Sequence, residues 1–291
     1  MSQAPKTLKE RLTTGPMLVA PGIFDMISLK IADQIGFECL YMTGFGTVAS
    51  HLGLPDAGLA SYGDMINRVR AFCSATPTPI ICDGDTGYGG LLNVAHSVEG
   101  YIQAGAAAIQ LEDQEYPKKC GHTAGRRVIP AQDMVAKIKV AHDVRAGHPD
   151  FLIIARTDAR TTLGLDEALR RAEQYARAGA DVLFVESPES IDELEIIGRS
   201  FDLPLIANIV EGGSTPQPGY QVLQELGFAL AIYPALGFLV MGQQLRHAYG
   251  ELKRQGDSID LDNLMAFGEF NQMIGFQEVW DFDERYADLM R

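Results

Sequence analysis

Residues 165–185 read LDEALRRAEQYARAGADVLFV, a helical pattern that ends at a glycine and is followed by an apolar run. The apolar side chains of the helical part share one stripe, formed by Leu165, Ala168, Leu169, Ala172, Tyr175 and Ala176. Asp166 and Glu167 stand in the first turn, where the helix dipole favours acidic side chains. Gly179 suits the left-handed residue that ends a helix, and residues 181–185 follow as a strand. The stretch therefore predicts one helix–loop–strand unit.

The same unit recurs along the whole chain. Eight apolar runs, each unbroken rather than alternating, lie at residues 17–20, 39–42, 79–82, 107–111, 151–155, 181–185, 204–207 and 230–233. Unbroken runs suit parallel strands that are buried on both faces. Gly36, Gly105 and Gly227 end helical patterns as Gly179 does. Eight units at even spacing favour an α/β fold, a closed (β/α)8 barrel of the TIM type, over a doubly wound sheet with a reversal in strand order.

The composition is that of a globular chain with a large core, since 46% of its 291 residues are hydrophobic and 21% are charged. This balance excludes disordered, collagen-like and coiled-coil proteins. No linker or low-complexity tract divides the chain. We therefore expect a single barrel domain over residues 1–291, with extra C-terminal helices over about residues 251–291.

The charge and the apolar segments limit the partners of the chain. A net charge of −14 without any basic run argues against nucleic acid. The longest apolar stretch, residues 228–241, is shorter than the roughly 20 residues that span a bilayer, so we expect no membrane contact. The N-terminal residues MSQAPKTLKERL contain no apolar leader. Four cysteines without CxxC spacing suit a reducing compartment, and we expect a cytoplasmic protein.

Two connections after strands are unusually long, TGFGTVASHLGLPDAG after the second and EDQEYPKKCGHTAGRR after the fourth. Loops that follow barrel strands form the catalytic face, so these two segments are candidates for a substrate cover or a catalytic loop.

The segment PIICDGDTGYGG, residues 79–90, carries two aspartates at the end of the third strand. Residues two apart on a strand point to the same side, so Asp83 and Asp85 would share one small volume. Two carboxylates so close need a cation, and oxygen ligands select Mg²⁺ or Mn²⁺. The alternative is that both aspartates only cap the following turn. Other strands also end in polar residues, which would converge on the same face: Glu112, Asp113, Arg156, Asp158, Glu186 and Asn208.

The segment Lys118-Lys119-Cys120-Gly121-His122 lies in the long loop after the fourth strand. A thiol beside two lysines and a histidine has its thiolate favoured electrostatically, and a glycine adds mobility. Cys120 and His122 are therefore candidates for a reactive acid or base. Cys39 and Cys82, by contrast, lie within apolar runs and are interpreted as core residues.

The motifs DGDTGYGG, KKCGH, IARTD, VES and ANIVEGGSTP resemble the isocitrate lyase and phosphoenolpyruvate mutase superfamily over nearly the whole chain. KKCGH resembles its carbon–carbon lyase branch in particular. The resemblance implies a barrel with Mg²⁺ at Asp85 and further contacts of the metal network through Asp83, Asp56 and Glu112. It also implies a gating loop that carries Cys120, and homotetramers in which the C-terminal helices are exchanged between neighbours.

Substrate contacts are implied by the same resemblance. They come from Tyr41, Thr43, Gly44, Arg156, Glu186 and Asn208, to which we add Lys118 and Gly121 of the loop. The implied reaction is a retro-Claisen or retro-aldol cleavage of a small dicarboxylate. In it Tyr41 is a candidate base for the hydroxyl proton, Arg156 stabilises the departing carboxylate and Cys120 protonates its carbon.

One position bears on the substrate. Where the 2-methylisocitrate pattern has Ser-Gly-Gly-Gly, this chain has Thr43-Gly44-Phe45-Gly46. A phenyl ring would remove space and polarity where a third carboxylate binds, so a substituted malate of the dimethylmalate type is favoured. Cleavage of 2-methylisocitrate, hydrolysis or decarboxylation of oxaloacetate, and a barrel that binds dicarboxylates without turnover are the alternatives.

Overall fold

A computed structural model describes residues 7–123 and 125–290 as one closed barrel of eight parallel strands in sequence order. The strands are β1 Leu18–Ile23, β2 Leu40–Met42, β3 Ile80–Asp83, β4 Ala108–Glu112, β5 Leu152–Thr157, β6 Val182–Val185, β7 Leu205–Asn208 and β8 Leu230–Tyr233. Pairing of Leu18 with Leu230 between β1 and β8 closes the barrel. The predicted fold is confirmed, and each of the eight predicted runs overlaps a strand.

Helices surround the barrel and follow the strands in the expected alternation. They are α1 Leu8–Thr14, α2 Met26–Ile35, α3 Gly44–Leu52, α4 Tyr62–Ser74, α5 Leu91–Ala104, α6 Ala131–Val144, α7 Ala159–Leu163, α8 Leu165–Arg177, α9 Ile191–Arg199, α10 Tyr220–Glu225, α11 Leu236–Gln255, α12 Phe267–Met273 and α13 Phe276–Tyr286, followed by a 3₁₀ turn over Ala287–Met290. Gly36 and Gly105 end α2 and α5 in the left-handed conformation, with φ of 86° and 89°. The predicted role of these glycines is confirmed.

The apolar core has two parts. One lies between the strands and the outer helices, and the other fills the barrel interior. Leu8 and Leu12 of α1 belong to the interior cluster, as do Ile81 of β3 and Ile154 of β5. Because apolar side chains fill this end of the barrel, we expect the polar site residues at the other end, where the long loops follow the strands.

The C-terminal region is helical, and the helix of the eighth unit reaches into it before the further helices begin. Helix α11 runs without a break from Leu236 to Gln255, and α12 and α13 come after it. Many apolar side chains of this region are exposed, among them Phe267, Trp280 and Phe282. Within residues 7–123 and 125–290, no helix has the length and apolar character that crossing a bilayer demands.

Candidate active site

Alternation along the strands determines which side chains enter the site. Along β5, Leu152 and Ile154 belong to the barrel interior, so Arg156 is the next residue on the inner face. The same alternation brings a buried polar side chain to the inner end of other strands, namely Asp83, Glu112, Glu186 and Asn208. These five side chains meet at one end of the barrel, as the sequence predicted.

Asp85 reaches this site by a different route from the one predicted. β3 ends at Asp83, and Asp85 lies beyond it with a left-handed φ of 48°. Its backbone N–H donates to Asp83 Oδ1 at 3.0 Å. The argument that Asp83 and Asp85 share a strand face is therefore wrong, because the chain turns between them. Asp83 does cap this turn, which was the alternative interpretation, yet both carboxylates are buried at the same end of the barrel.

Lys118 connects the long loop to the carboxylates. Its ammonium lies 2.6 Å from Asp85 Oδ1 and 2.6 Å from Asp56 Oδ1, and its side chain is only 3% exposed. Burial raises the pKa of Asp85 to about 7; the positive charge of Lys118 opposes this shift, whereas the nearby Asp83 and Asp56 add to it. The predicted substrate-binding residue Lys118 is thus held by the predicted metal network.

The charge balance of the site fits a divalent cation. Six buried carboxylates surround the strand ends, Asp56, Asp83, Asp85, Glu112, Asp158 and Glu186, against three buried cationic side chains, Lys118, Arg126 and Arg156. Glu112 Oε1 has no hydrogen-bond partner among the described residues. Among the residues that the structure describes, no group of three or more His, Cys, Asp or Glu side chains is already arranged to hold a metal ion. Mg²⁺ takes only one or two carboxylates together with waters and substrate oxygens, so the residues present fit it.

The loop over residues 118–123, here called the catalytic loop, packs closely on the strand ends. The Cys120 N–H donates to the Asp56 carbonyl at 3.2 Å, and Ser187 Oγ donates to the Gly121 carbonyl at 2.8 Å. A Cβ at Gly121 would lie 2.5 Å from Arg156 Nη2 and 2.6 Å from the Glu186 carboxylate. Glycine is therefore required for this close approach of the loop to Arg156 and Glu186.

Cys120 is in the opposite protonation state from the one predicted. Burial raises the pKa of its thiol to about 11, although the His122 backbone and Arg156 act to lower it. The expected help from lysines does not arise, since Lys118 pairs with carboxylates and Lys119 Nζ donates to the Gly125 carbonyl at 3.1 Å. Cys120 is thus a neutral thiol near pH 7, which suits a proton donor rather than a nucleophile.

His122 lies against the inner ends of β6 and β7. Its Nε2 is 3.4 Å from Glu186 Oε1 and 3.2 Å from Asn208 Nδ2, and Asn208 Nδ2 also donates to Glu186 Oε2 at 3.0 Å. Burial lowers the pKa of His122, while the negative charge of Glu186 opposes that shift. A neutral imidazole whose Nε2 accepts from the Asn208 amide orients that amide, which in turn donates to Glu186.

Arg156 is the central cation of the site. Its Nε and Nη2 each donate to the Asp158 carboxylate at 2.9 Å, while Nη1 lies 3.3 Å from Glu112 Oε2 and Nη2 lies 3.3 Å from Glu186 Oε2. The guanidinium also covers the Phe184 ring at 5.2 Å. So many partners fix its orientation toward the cavity.

The β2 end supplies Tyr41, Thr43 and Gly44. Burial, followed by the nearby Asp83, raises the pKa of Tyr41 well above its ordinary value, and its hydroxyl donates to Gln110 Oε1 at 3.1 Å. The expectation that Tyr41 is a base is therefore not supported, since a buried phenol holds its proton. Thr43 caps α3. A Cβ at Gly44 would lie 2.4 Å from Asp83 Oδ2, so its backbone approaches the carboxylate directly.

The catalytic loop and the ends of several strands border one cavity of about 230 Å³. Its polar wall contains, among others, Cys120, His122 and Arg156. Its apolar wall consists of Phe45, Val210, Ile232, Pro234, Phe238 and Leu239. The Phe45 ring stacks on the Phe238 ring with centroids 5.2 Å apart. The cavity thus combines acid and base groups with an apolar end. Asp85 and Glu112 lie behind the wall rather than on it.

Several residues of the site were missed from the sequence. Gln110 and Ser187 could have been found, because Gln110 shares the inner face of β4 with Glu112, and Ser187 directly follows Glu186. Phe238 gives no such signal, since it lies in a long apolar stretch in which no residue differs in character from its neighbours. Arg126 likewise resembled an ordinary loop cation.

Comparison with known proteins gives close relatives over the full chain. The family model described as phosphoenolpyruvate phosphomutase matches residues 8–253. A 2,3-dimethylmalate lyase of Eubacterium barkeri is 43% identical over 281 residues, which are 96% of this chain and 97% of that protein. A 2-methylisocitrate lyase of Aeropyrum pernix is 36% identical over 98% of this chain and 90% of its own length.

Solved structures agree with the sequence comparisons. An oxaloacetate acetylhydrolase in complex with the inhibitor 3,3-difluorooxalacetate has a TM-score of 0.91 and 32% identity, covering 97% of this chain and 96% of the other. A phosphonopyruvate hydrolase in complex with oxalate and Mg²⁺ has a TM-score of 0.86 and 28% identity, covering 96% and 98% of the two chains. The barrel and its added helices are therefore shared with enzymes that act on small oxo and hydroxy acids.

Proposed function

Since the chain belongs to the phosphoenolpyruvate mutase and isocitrate lyase superfamily, as one of its carbon–carbon lyases, we propose that it cleaves a substituted malate of the dimethylmalate type. The products are a 2-oxo acid and a smaller carboxylate. One observation carries the choice of substrate: the stacked rings of Phe45 and Phe238 form an apolar wall in the same cavity as Cys120 and Arg156. Such a wall suits alkyl substituents and disfavours a further carboxylate.

Mg²⁺ is the proposed cofactor, with Mn²⁺ able to replace it. Asp85 would hold the ion, supported by Asp83, Asp56 and Glu112, because these carboxylates outnumber the cations around them. When bound, the ion supplies a Lewis acid that acidifies the 2-hydroxyl of the substrate. Lys118 keeps the Asp56 and Asp85 side chains in place at 2.6 Å from its ammonium.

The chain binds and orients the substrate carboxylates with fixed donors. Arg156 is held by Asp158, Glu112 and Glu186, so it presents its charge without reorganising. Asn208 and the residues Thr43 and Gly44 provide neutral polar groups at the inner ends of β7 and β2. Catalytic groups fixed in this way avoid the entropic cost of ordering them during the reaction.

Two proton transfers accompany the cleavage. The 2-hydroxyl proton passes to a carboxylate that lines the cavity, because Tyr41 keeps its own proton and acts as a hydrogen-bond donor. The C2–C3 bond then breaks, its electron pair moves toward C3 and the adjoining carboxylate, and Arg156 stabilises that charge. Cys120 donates its proton to C3, which its raised pKa near 11 permits at neutral pH. His122 orients the Asn208 amide beside this step.

Two related reactions compete with this proposal. A 2-methylisocitrate lyase and an oxaloacetate acetylhydrolase are each similar over nearly the full chain. Cleavage of 2-methylisocitrate would need room and a cation for a third carboxylate, whereas the cavity end bears Phe45, Phe238 and Leu239. Hydrolysis of oxaloacetate would need no alkyl pocket. A dicarboxylate-binding barrel without turnover would not need the half-buried thiol of Cys120 in the cavity wall.

The deciding experiment measures release of 2-oxo acid from purified protein with Mg²⁺. We expect the highest kcat/KM for 2,3-dimethylmalate, with a lower value for 2-methylisocitrate and for malate itself, and little acetate or oxalate from oxaloacetate. Cys120→Ala serves as the matched inactive control for background activity. A higher kcat/KM for 2-methylisocitrate or oxaloacetate would reject the proposed substrate, and binding without turnover of any of them would reject the lyase activity.

We also propose a cytoplasmic homotetramer in which residues 251–291 are exchanged between neighbours. Exposed apolar side chains on α11 and on the helices after it support exchange, since Leu245, Phe267 and Trp280 lack cover within one chain. All four cysteines are free thiols, which fits the cytoplasm. Light scattering should give the mass of four chains, and a chain that ends at Gln255 should give a smaller assembly.

A further inference from the structure

Two guanidinium groups share the carboxylate of Asp158. Arg156 donates to both of its oxygens at 2.9 Å, and Arg126 Nη1 donates to Oδ1 at 2.7 Å. All three side chains are buried. Charge-assisted bonds of this kind are short and directional, so the orientation of Arg156 depends on a carboxylate that Arg126 also holds.

Asp158 itself is fixed to the barrel. Its backbone N–H donates to Asp113 Oδ1 at 2.8 Å, and the neighbouring Thr157 hydroxyl donates to Asp113 Oδ2 at 2.8 Å. Asp113 in turn accepts from Tyr175 at 2.7 Å and from Arg171 at 3.0 Å, both on α8. Asp158 is therefore a rigid anchor, and side chains that bind it take their position from the barrel.

Arg126 follows the catalytic loop by three residues. Besides Asp158, it reaches Thr161 of α7, to whose hydroxyl Nη2 donates at 2.6 Å. The other end of the loop is held by Gln114, which bonds the Lys119 carbonyl at 2.8 Å and the Lys119 N–H at 2.9 Å. The segment that carries Cys120 is thus fastened to the barrel on both sides by side chains.

The loop and Arg156 also touch each other. Gly121 packs so closely on Arg156 that a Cβ there would meet Nη2 at 2.5 Å. The Arg156 guanidinium and the loop are therefore tightly packed neighbours, and a displacement of one is expected to disturb the other. Arg126 binds Asp158, which anchors the Arg156 guanidinium and, through Arg126, the segment that carries the loop.

We propose that Arg126 is a positioning residue. It acts through Asp158 to keep the Arg156 guanidinium and the catalytic loop in fixed positions relative to each other. It touches no substrate itself. Its kinetic effect rests on the proposed lyase function, whereas its effect on the loop does not. Because a misplacement of about 1 Å can lower a rate by about 10²-fold, loss of Arg126 should slow the reaction on that scale.

The experiment compares Arg126→Gln and Arg126→Lys with Arg127→Gln. Arg127 is the matched control, since it is the adjacent arginine but its side chain is 76% exposed and pairs with Glu115. The first readout needs no substrate. Iodoacetamide alkylates the cysteines, and peptide mass spectrometry measures the alkylation rate of Cys120 relative to that of Cys73, which is also half-buried. We expect labelling of Cys120 to rise by about tenfold or more in Arg126→Gln, less in Arg126→Lys, and not in Arg127→Gln.

The second readout is kcat with the best substrate. We expect a loss of about 10²-fold in Arg126→Gln, partial rescue in Arg126→Lys and no loss in Arg127→Gln. If Arg126→Gln fails to fold, Thr161→Val removes one bond to Arg126 and should raise labelling to a smaller extent. Labelling and kcat that match Arg127→Gln would overturn the proposal. Raised labelling in a protein that turns over no candidate substrate would instead uphold the loop role and reject the proposed function.

Discussion

The ammonium of Lys118 lies 2.6 Å from Asp85 Oδ1 and thereby joins the catalytic loop to the turn after β3. Lys118 also contacts Asp56, so one buried cation on the catalytic loop draws together carboxylates from two other segments. Removing one partner of a buried ion pair leaves the others uncompensated, which costs about 3–5 kcal/mol in comparable cases. The position of the catalytic loop and the charge balance around Asp56 and Asp85 are therefore coupled through Lys118.

Lys118→Met should remove the contact between the catalytic loop and the carboxylates of Asp56 and Asp85. Since the charge of Lys118 lowers the pKa of Asp85, its removal should raise that pKa further above 7 and leave Asp85 protonated at neutral pH. We expect Mg²⁺ affinity, measured by calorimetry at pH 7.5, to fall by at least about tenfold. Lys119→Met is the control, because Lys119 is exposed and its ammonium donates to the Gly125 carbonyl rather than to a carboxylate of the site. Equal Mg²⁺ affinity in both variants would contradict this role.

Asp85→Asn tests the metal site directly. The protein should stay folded, because the amide keeps the shape of the side chain and Lys118 retains Asp56 as a charged partner. Activity should be lost, and treatment of the parent protein with EDTA should inactivate it until Mg²⁺ or Mn²⁺ is added. Asp133→Asn on the exposed face of α6 is the control. Full activity of the parent protein in excess EDTA would reject a metal-dependent mechanism.

The sequence predicts features that depend on local periodicity and misses those that depend on tertiary contacts. Arg156, Glu186 and Asn208 were expected together because strand alternation alone sends them inward. Asp85 was placed on the wrong element, since a left-handed turn breaks that alternation. The Cys120 thiol was expected to ionise easily, but Lys118 turns toward carboxylates that are distant in sequence. No local pattern reports where a long side chain points.

Cys120 provides a pH-dependent prediction. The folded-state pKa is raised to about 11, so the thiolate required for alkylation is scarce at pH 7 and increases tenfold per pH unit below pH 11. The alkylation rate at Cys120, followed by mass spectrometry in the absence of substrate, should therefore still rise between pH 9 and pH 10. A free cysteine, with a pKa near 8.5, should already level off there. A plateau at Cys120 below pH 8 would show an activated thiolate instead.

Cys120→Ala should lose about 10²- to 10⁴-fold in kcat, the range of a general acid, while product still binds. Cys73→Ala is the control, since Cys73 is a half-buried thiol on α4 away from the cavity. Steady-state rates and product affinity for both variants are the measurement. A Cys120→Ala rate close to that of Cys73→Ala would remove the thiol from the mechanism.

Phe45→Gly tests the apolar end of the cavity. Phe45 stacks on Phe238 in the apolar wall, so its removal should open space at that end of the cavity. A methylene-sized change in an apolar pocket is worth about 1–3 kcal/mol. We therefore expect kcat/KM to fall for 2,3-dimethylmalate and to rise for 2-methylisocitrate, shifting their ratio by at least about tenfold. Any loss of folded protein from placing glycine in α3 lowers both rates equally and cancels in the ratio. Phe45→Leu is the control, since it keeps an apolar side chain and should leave the preference for dimethylmalate in place. A parallel loss for both substrates in Phe45→Gly would mean that the ring supports the fold of the cavity without selecting the substrate.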